Sequence, residues 1–240
     1  MSIPKKQTGF TLVELSMVLV VIGLILGTAI TALTSFLARA QFSETRAQLA
    51  LVQEALIGYA ISKGRLPCPD VNDYPPTAPT MGSASDGVGD MTGTSPGDTC
   101  VREYGYLPYA ELGLPPRDIW GTYYQYRVDD VYADIPPAGQ TVTFSLTETE
   151  GEIDVKDSAA SANPIADNIV ALVFSAGPNA HVSVPAVSAD EDENLNNDRI
   201  YVDKDYVPAG ASTPEFDDIL NWISSYTLKA KMTKAQRLPE

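Results

Sequence analysis

The sequence contains few of the residues from which many catalytic and binding sites are built. Its 240 residues include one His and two Cys, and 16 Lys and Arg face 31 Asp and Glu, for a net charge of −15. One His and two Cys are too few for a His-rich or Cys-rich metal site or for a Ser-His-Asp or Cys-His nucleophile. Scarce cations also argue against nucleic acid as a partner, because phosphate binding needs clustered Lys and Arg.

Charged side chains are also missing between positions 15 and 38, shortly after a basic leader that contains Lys5 and Lys6. A helix of about 20 apolar residues, rising ~1.5 Å per residue, crosses a hydrocarbon core of about 30 Å. The sequence therefore predicts a transmembrane segment at about 13–37. The lysines before it predict a cytoplasmic N-terminus and an exported C-terminal body.

Two simpler interpretations of this segment leave Glu14 unexplained. A cleaved secretory signal could use the A-x-A pattern at 38–40, but the apolar region is longer than a usual signal peptide needs. A plain membrane anchor accounts for the apolar run, but a carboxylate inside a bilayer is costly unless it is paired. Glu14 therefore predicts a cationic partner.

The residues around Glu14 resemble a known processing signal. Lys5-Lys6-Gln7-Thr8-Gly9 followed by Phe10-Thr11-Leu12-Val13-Glu14-Leu15 is similar to the class III signal of type IV pilins and type II secretion pseudopilins. The resemblance implies cleavage after Gly9 by a prepilin peptidase, N-methylation of Phe10, and pairing of Glu14 with the cationic amine of Phe10 on a neighbouring subunit. Such a pair would set the register between subunits, because each buried charge is costly alone.

One long helix is predicted over 10–63, ending before Gly64. Four apolar residues fall on one stripe of its second half: Leu49, Val52, Leu56 and Tyr59. The predicted organisation is a leader peptide at 1–9, the helix at 10–63 and a globular periplasmic or extracellular head at 64–240. Thr31 stands where many relatives carry a proline, so melting of this helix in a filament is left open.

The head is predicted to be α+β and pilin-like, with the helix packed on a small antiparallel sheet of three or four strands and long loops. Strand-like patterns occur at 122–128, 141–147, 152–156 and 169–174. Segment 67–118 is rich in turn residues and is predicted to be a long loop. Cys68 and Cys100 could tie this loop as a disulfide in an exported protein.

Further motifs in the head resemble the major pseudopilin of type II secretion. They keep the family's order: Gly64-Arg65-Leu66-Pro67, Leu107-Pro108, Asp118-Ile119-Trp120-Gly121-Thr122-Tyr123-Tyr124, Phe174-Ser175-Ala176-Gly177-Pro178-Asn179 and Asp217-Asp218-Ile219-Leu220-Asn221-Trp222. The family's usual D-P-W-G is changed at Ile119. Insertions at about 68–105, 129–165 and 180–215 enlarge the head, which leaves a minor subunit at a filament tip as an alternative to a repeating subunit.

The same resemblance implies a calcium site. Its matching positions are Asn179, Asp217 and Asp218, with Asn179 replacing a usual Asp. Four weaker candidates lie in the acidic insertion at 180–215: Asp190, Asp192, Asn196 and Asp198. The alternatives are a solvated acidic loop for the insertion, and capping of a helix that begins at 219 for Asp217 and Asp218.

The sequence thus predicts a structural filament subunit rather than an enzyme. The resemblance implies an inner-membrane protein whose head lies in the periplasm and later in a periplasmic or extracellular filament. Its expected partners are copies of itself and other pilin-like subunits, prepilin peptidase, the inner-membrane assembly platform and the membrane, without nucleic acid. An anchored periplasmic enzyme or binding module is the alternative from another class. The basic tail (Lys229, Lys231, Lys234 and Arg237) either ends a helix favourably or contacts an acidic neighbour.

Overall fold

The computed structural model describes residues 11–71, 86–147, 150–180, 188–208 and 211–238, except for the side chains at 26 and 28–35. The chain divides into two units, 1–43 and 44–240. The cleavage site at Gly9 and Phe10 lies outside the described residues. The first helix contributes to both units.

Helix α1 runs from Leu12 to Lys63, which confirms the predicted long helix. The Gly64 N–H donates to the carbonyl of Ala60 at 2.8 Å, and Gly64 has a φ of +79°. A Cβ at this position would lie 2.2 Å from the carbonyl oxygen of Thr141. The helix therefore ends where glycine alone fits both the left-handed backbone and the close approach.

Between Leu12 and Leu37, the described apolar side chains of α1 are exposed, with Leu12 86% and Leu24 68% accessible, whereas Phe42 is buried. Within the part of the chain that the structure describes, no helix combines the length and apolar character needed to cross a membrane. Of the predicted span at 13–37, the side chains at 26 and 28–35 lie outside the described residues.

In the second unit, the C-terminal part of α1 packs on a sheet. Leu49, Val52 and Leu56 are buried, as their spacing predicts. The Gln53 side-chain amide donates to the Trp222 carbonyl at 2.7 Å, and the Tyr124 hydroxyl donates to Gln48 Oε1 at 2.6 Å. These two bonds join the polar edge of the helix to two different strand segments.

Within the described residues, the sheet has six strands: β1 (Tyr104–Tyr106), β2 (Gln125–Val128), β3 (Ile153–Lys156), β4 (Ala166–Ser175), β5 (Ile200–Val202) and β6 (Ile219–Ser224). The same residues form four helices besides α1: α2 (Tyr109–Leu112), α3 (Asp130–Ala133), α4 (Ala189–Leu195) and α5 (Ser225–Lys234). Strand β4 is central. It pairs with β6 along one edge and with β2 and then β3 along the other, while β1 adds to β2 and β5 to β3.

The predicted antiparallel sheet of three or four strands is wrong in two respects. The sheet is larger, and it is mixed, because β3 and β5 pair in parallel. Strands β1 and β5 have only three residues each. A segment that short shows no measurable alternation, so its pairing depends on neighbours that are distant in sequence.

Two local expectations also differ from the structure. Segment 141–147 forms turns instead of a strand, and its Phe144 ring stacks on Tyr132 with 4.4 Å between centroids. The alternative in which Asp217 and Asp218 cap a helix at 219 is wrong, since that segment is β6 and pairs with β4. The helix begins at Ser225 instead, where the Ser224 side chain accepts from the Thr227 N–H.

The predicted disulfide between Cys68 and Cys100 is present. Segment 67–118, predicted to be a loop, also contains β1 and α2. The bond therefore connects the chain that leaves α1 to the chain that enters the sheet.

Candidate functional site

Glu14 lies in the first turn of α1, where it forms a capping box with Thr11. The Glu14 carboxylate accepts from the Thr11 backbone N–H and from the Thr11 hydroxyl, both at 2.9 Å. In return, the Thr11 hydroxyl accepts from the Glu14 N–H at 3.2 Å. This reciprocal pattern satisfies backbone donors that a helix start leaves free.

The capping box turns the Glu14 carboxylate toward the beginning of the helix. Thr11 directly follows Phe10, the residue that the resemblance assigns as the first of the mature chain. The acid is thus held at the end of α1 where a new amino terminus would arise. Its side chain is also exposed, so a cation from outside the chain can reach it.

A second acidic site lies in the head and contains Glu191, Asp217 and Asp218. One ligand oxygen from each of these three buried side chains lies within 4.8 Å of the others. Two oxygens on opposite sides of a calcium ion, each bound at about 2.3–2.6 Å, are separated by a similar distance. We call Glu191, Asp217 and Asp218 the acidic trio.

Three separate elements bring the acidic trio together. Glu191 is held on α4 by a capping box with Ser188, and its Oε1 accepts from the Asp217 N–H at 3.0 Å. Asp217 and Asp218 directly precede β6. The turn after β4 adds Asn179, whose backbone N–H donates to Asp217 Oδ2 at 3.2 Å and whose side-chain amide donates to Glu191 at 3.4 Å.

Asn194 fixes the third carboxylate. Its amide donates to Asp218 Oδ2 at 2.7 Å, and it exchanges two further hydrogen bonds with the backbone of Val202 on β5. Asn194 lies one helical turn after Glu191, so the same buried face of α4 contributes both residues. The insertion that carries α4 and β5 is therefore part of the site.

The acidic trio is electrostatically unfavourable without a cation. Burial, reinforced by the neighbouring Glu191 carboxylate, raises the pKa of Asp217 to about 7. Burial also raises the pKa of Asp218 well above its ordinary value, against the opposing hydrogen bond from Asn194. Both shifts express the cost of placing like charges together in a region that water does not solvate.

Two details describe the surroundings of the Asp217 carboxylate. Its Oδ1 atom is buried and has no hydrogen-bond partner among the described residues. Opposite it, Gly177 has a φ of +64°, and a Cβ there would lie 2.6 Å from the Asp217 carboxylate. An unsatisfied buried oxygen is costly in a folded protein and marks a position where a partner is expected.

A buried turn supports this region from behind. The Asp118 carboxylate accepts from the Thr122 hydroxyl at 2.5 Å and the Ser175 hydroxyl at 2.6 Å. The Gly177 N–H in turn donates to the Ser175 hydroxyl at 3.3 Å. The D-I-W-G motif thus acts structurally, by holding the turn that faces Asp217.

The four weaker metal candidates lie outside the trio. Asp190 pairs with Lys204 and accepts from the Ala159 N–H, while Asp192 is exposed. Asn196 and Asp198 bond to each other in the turn after α4. The structure therefore joins Asp217 and Asp218 to the insertion through Glu191.

Sequence reasoning missed Glu191 because it treated the acidic stretch as an alternating loop. The signal that could have identified it is the spacing of Ser188 and Glu191, an S-x-x-E pattern typical of a helix start. A helix from 189 places Glu191 and Asn194 on one face, which a loop pattern does not.

Comparison with known families finds one similarity. Residues 4–30 match the family described as the prokaryotic N-terminal methylation motif. The match supports a type IV pilin-like prepilin signal, which implies processing by prepilin peptidase and assembly into multimers. No curated protein and no solved structure matches the chain.

Proposed function

We propose that this chain is a structural subunit of a filament, either a type II secretion pseudopilus or a type IV pilus-like fibre. Prepilin peptidase cuts after Gly9, and Phe10 becomes the methylated first residue. The apolar part of α1 holds the subunit in the inner membrane, with the head in the periplasm, until an assembly platform moves it into the fibre. The methylation motif at 4–30 is the observation that carries this proposal.

The geometry of α1 supports the proposal. A subunit that assembles through this helix needs an apolar surface available to other copies, and the described apolar residues of α1 between Leu12 and Leu37 are exposed. It also needs a fixed charge to select one register, because apolar packing alone tolerates slippage. Glu14, held by Thr11 at the start of α1, supplies a carboxylate for the Phe10 amine of a neighbouring subunit.

The primary test is the chemical state of the N-terminus in chain recovered from membranes and from sheared surface or periplasmic filaments. The proposal expects loss of residues 1–9, a methyl group on Phe10 and filaments that contain this chain. A Gly9→Lys variant is the matched control, and it should stay uncut and remain outside filaments. Mature protein that retains Met1 would contradict the proposal and favour an anchored binding module.

We further propose that the acidic trio binds calcium. Three carboxylates supply hard oxygen ligands of the kind that calcium prefers, and a divalent cation would neutralise most of their charge. The unsatisfied Oδ1 of Asp217 supports the fit. Bound calcium would join α4, the β4 turn and the start of β6.

Calcium binding is tested by thermal unfolding of the metal-stripped chain in detergent, titrated across extracellular calcium levels. At 100 times the dissociation constant, binding adds about 2.7 kcal/mol of stability, or roughly 5–10 °C for a head of this size. Magnesium is the control cation, and its effect should be smaller because it requires stricter octahedral geometry. A calcium-independent melting temperature would contradict the site.

A minor subunit at a filament tip is the second candidate. The observation that favours it is the insertion at about 180–215, which adds α4 and β5 to the head. Electron microscopy with a gold-labelled antibody separates the two roles. Labels along the shaft fit a repeating subunit, whereas a single label at one end fits a tip subunit.

A further inference from the structure

Four cations lie in or just after the last turns of helices α1 and α5. Helices α1 and α5 approach each other there, because the Arg237 guanidinium donates to the Ser62 carbonyl at 2.6 Å and Lys231 lies 3.5 Å from Glu54. Lys63 and Lys234 are exposed in the last turns of the same two helices. We call Lys63, Lys231, Lys234 and Arg237 the basic end.

An acidic surface lies near the other end of the same helix segment. Asp157, Asp203 and Asp205 line one cavity together with Arg46 and Leu49 of α1. Lys204, which also lines it, is already paired with Asp190. We call Asp157, Asp203 and Asp205 the acidic mouth.

The two surfaces are separated along the axis of α1. Arg46 lies at the acidic mouth and Ser62 at the basic end, so 16 residues of helix separate them, or about 24 Å at ~1.5 Å per residue. The head therefore carries opposite charge at its two ends along this axis, although its net charge is strongly negative. Two different complementary patches on one chain are what a head-to-tail contact requires, whereas a two-fold dimer needs a self-complementary patch.

We propose that the basic end of one head binds the acidic mouth of a second copy of this chain, displaced along the α1 axis. The proposal rests on the filament function above, because subunits drawn from one membrane share the same polarity. In that arrangement the C-terminal end of α1 in one copy faces the Arg46 end of α1 in the next. The contact repeats without closing, as a fibre demands.

Charge complementarity is the reason to expect a second copy of this chain at the basic end. Contact of the basic end with the acidic mouth of a second copy joins opposite charges, whereas contact between two acidic mouths would bring like charges together, which is strongly unfavourable. Lys231 is 47% exposed despite its contact with Glu54, so its ammonium group is accessible to a further carboxylate. Exposed ion pairs are individually weak. This contact therefore sets the relative position of heads that packing of their α1 helices already brings together.

The test is a charge swap in the full chain, expressed in cells with the assembly machinery. Lys231→Glu/Lys234→Glu reverses the basic end, and Asp157→Lys/Asp205→Lys reverses the acidic mouth. Each variant should yield about tenfold fewer filaments, because each brings like charges together. The variant that combines all four changes has the original net charge and should recover assembly. Asp192→Lys, an exposed reversal that lines neither surface, should assemble normally.

A cross-link tests the geometry directly. A chain with Lys234→Cys and Asp205→Cys should, in filaments treated with a short bis-maleimide, give a ladder of dimers, trimers and longer products. Either single cysteine should give no ladder. A product that stops at dimer would indicate a two-fold contact and overturn the proposal.

The outcomes separate this inference from the filament function. Wild-type filaments with unaffected reversal variants would overturn the inference alone, and so would a failure of the combined variant to recover assembly while it is cut and melts like wild type. Absence of wild-type filaments would overturn the filament function and this contact with it.

Discussion

Two acidic sites in this chain differ in the burial and the hydrogen-bond partners of their carboxylates. Glu14 is a single exposed carboxylate whose hydrogen bonds come from Thr11, three residues away. The acidic trio is three buried carboxylates brought together from α4 and the start of β6. One is complete as a helix cap and is available to a cation from another molecule. The other places three like-charged groups together in a buried region, and we propose that it takes a cation inside its own fold.

This difference indicates which unit depends on other copies. The second unit, 44–240, contains the buried core and the acidic trio, so its stability can be measured on unassembled chains. The described apolar residues of α1 between Leu12 and Leu37 are exposed, so their burial requires contacts from outside the chain. Assembly defects should therefore follow changes at the N-terminal site, and stability defects should follow changes at the trio.

The largest expected effect separates capping from charge at Glu14. Glu14→Ala loses both, whereas Glu14→Gln keeps an acceptor suitable for a capping box and loses only the charge. Both variants should be cut after Gly9 yet yield at least about 100-fold fewer filaments, since an unpaired buried charge costs about 3 kcal/mol or more. Filament yield is measured after shearing. Normal assembly of Glu14→Gln would show that capping is the role of this residue.

Gly177→Ala should have the largest effect on the head. The substitution puts a Cβ 2.6 Å from the Asp217 carboxylate at a φ of +64°. Gly113→Ala is the matched control, because Gly113 has a φ of +67° with nothing within 4 Å of its Cβ position. We expect Gly113→Ala to cost about 1 kcal/mol from backbone strain and Gly177→Ala roughly twice that or more. Equal losses of unfolding free energy in the two variants, measured with denaturant, would mean that the close approach of Gly177 to Asp217 has no effect on stability.

Asp217→Asn should have opposite effects with and without calcium. Removing one buried charge relieves the repulsion that raises the pKa of Asp217, so the metal-free head should melt at the same temperature or higher. The calcium response of about 2.7 kcal/mol should be lost. Asp192→Asn, at an exposed position on the same helix, should keep the response. Calorimetry of both variants with and without calcium measures this, and an unchanged response in Asp217→Asn would exclude Asp217 as a ligand.

The pH dependence of the metal-free head follows from the same residue. The pKa of Asp217 is about 7 in the folded state and about 3.8 in the unfolded state, so between these values the folded state holds a proton that the unfolded state has released. The stabilisation that this bound proton gives the folded state is fully present below about pH 3.8 and is lost as the pH rises through 7. Calcium competes with that proton, so the calcium-induced rise in melting temperature should be larger at pH 8 than at pH 5.5. An equal rise at both values would contradict the assignment.

The smallest effect is expected at Thr11. Thr11→Ala removes the hydroxyl from the capping box but leaves the Glu14 charge, at a cost of about 1 kcal/mol to the start of α1. Thr11→Ser keeps the hydroxyl and is the control. Assembly should fall only slightly in the alanine variant. A loss as large as that of Glu14→Ala would mean that the cap itself controls assembly.

The N-terminal site could be predicted because its information is local. The motif around Glu14 occupies consecutive residues, and the buried stripe of Leu49, Val52 and Leu56 repeats at helical spacing. Strands β3 and β4 were also visible as apolar patterns at 152–156 and 169–174. In each case, one continuous segment contains its own signal.

The acidic trio could be predicted only in part because its information is distributed. Asp217 and Asp218 came from a resemblance, but Glu191 depends on whether 189–195 is a helix and on which side that helix is buried. Strand β6 could not be predicted from the sequence, because acids before an apolar run indicate a helix start as readily as a strand. Pairing with β4 decides the matter, and that pairing joins residues about 50 positions apart.

The bond between Cys68 and Cys100 has a consequence for filaments exposed to proteases. A cut of the backbone anywhere between the two cysteines leaves the pieces covalently joined, so α1 stays attached to the sheet. A nicked subunit would run as two fragments on a reducing gel and as one on a non-reducing gel. A fibre outside the cell could thus accumulate such breaks without shedding its heads.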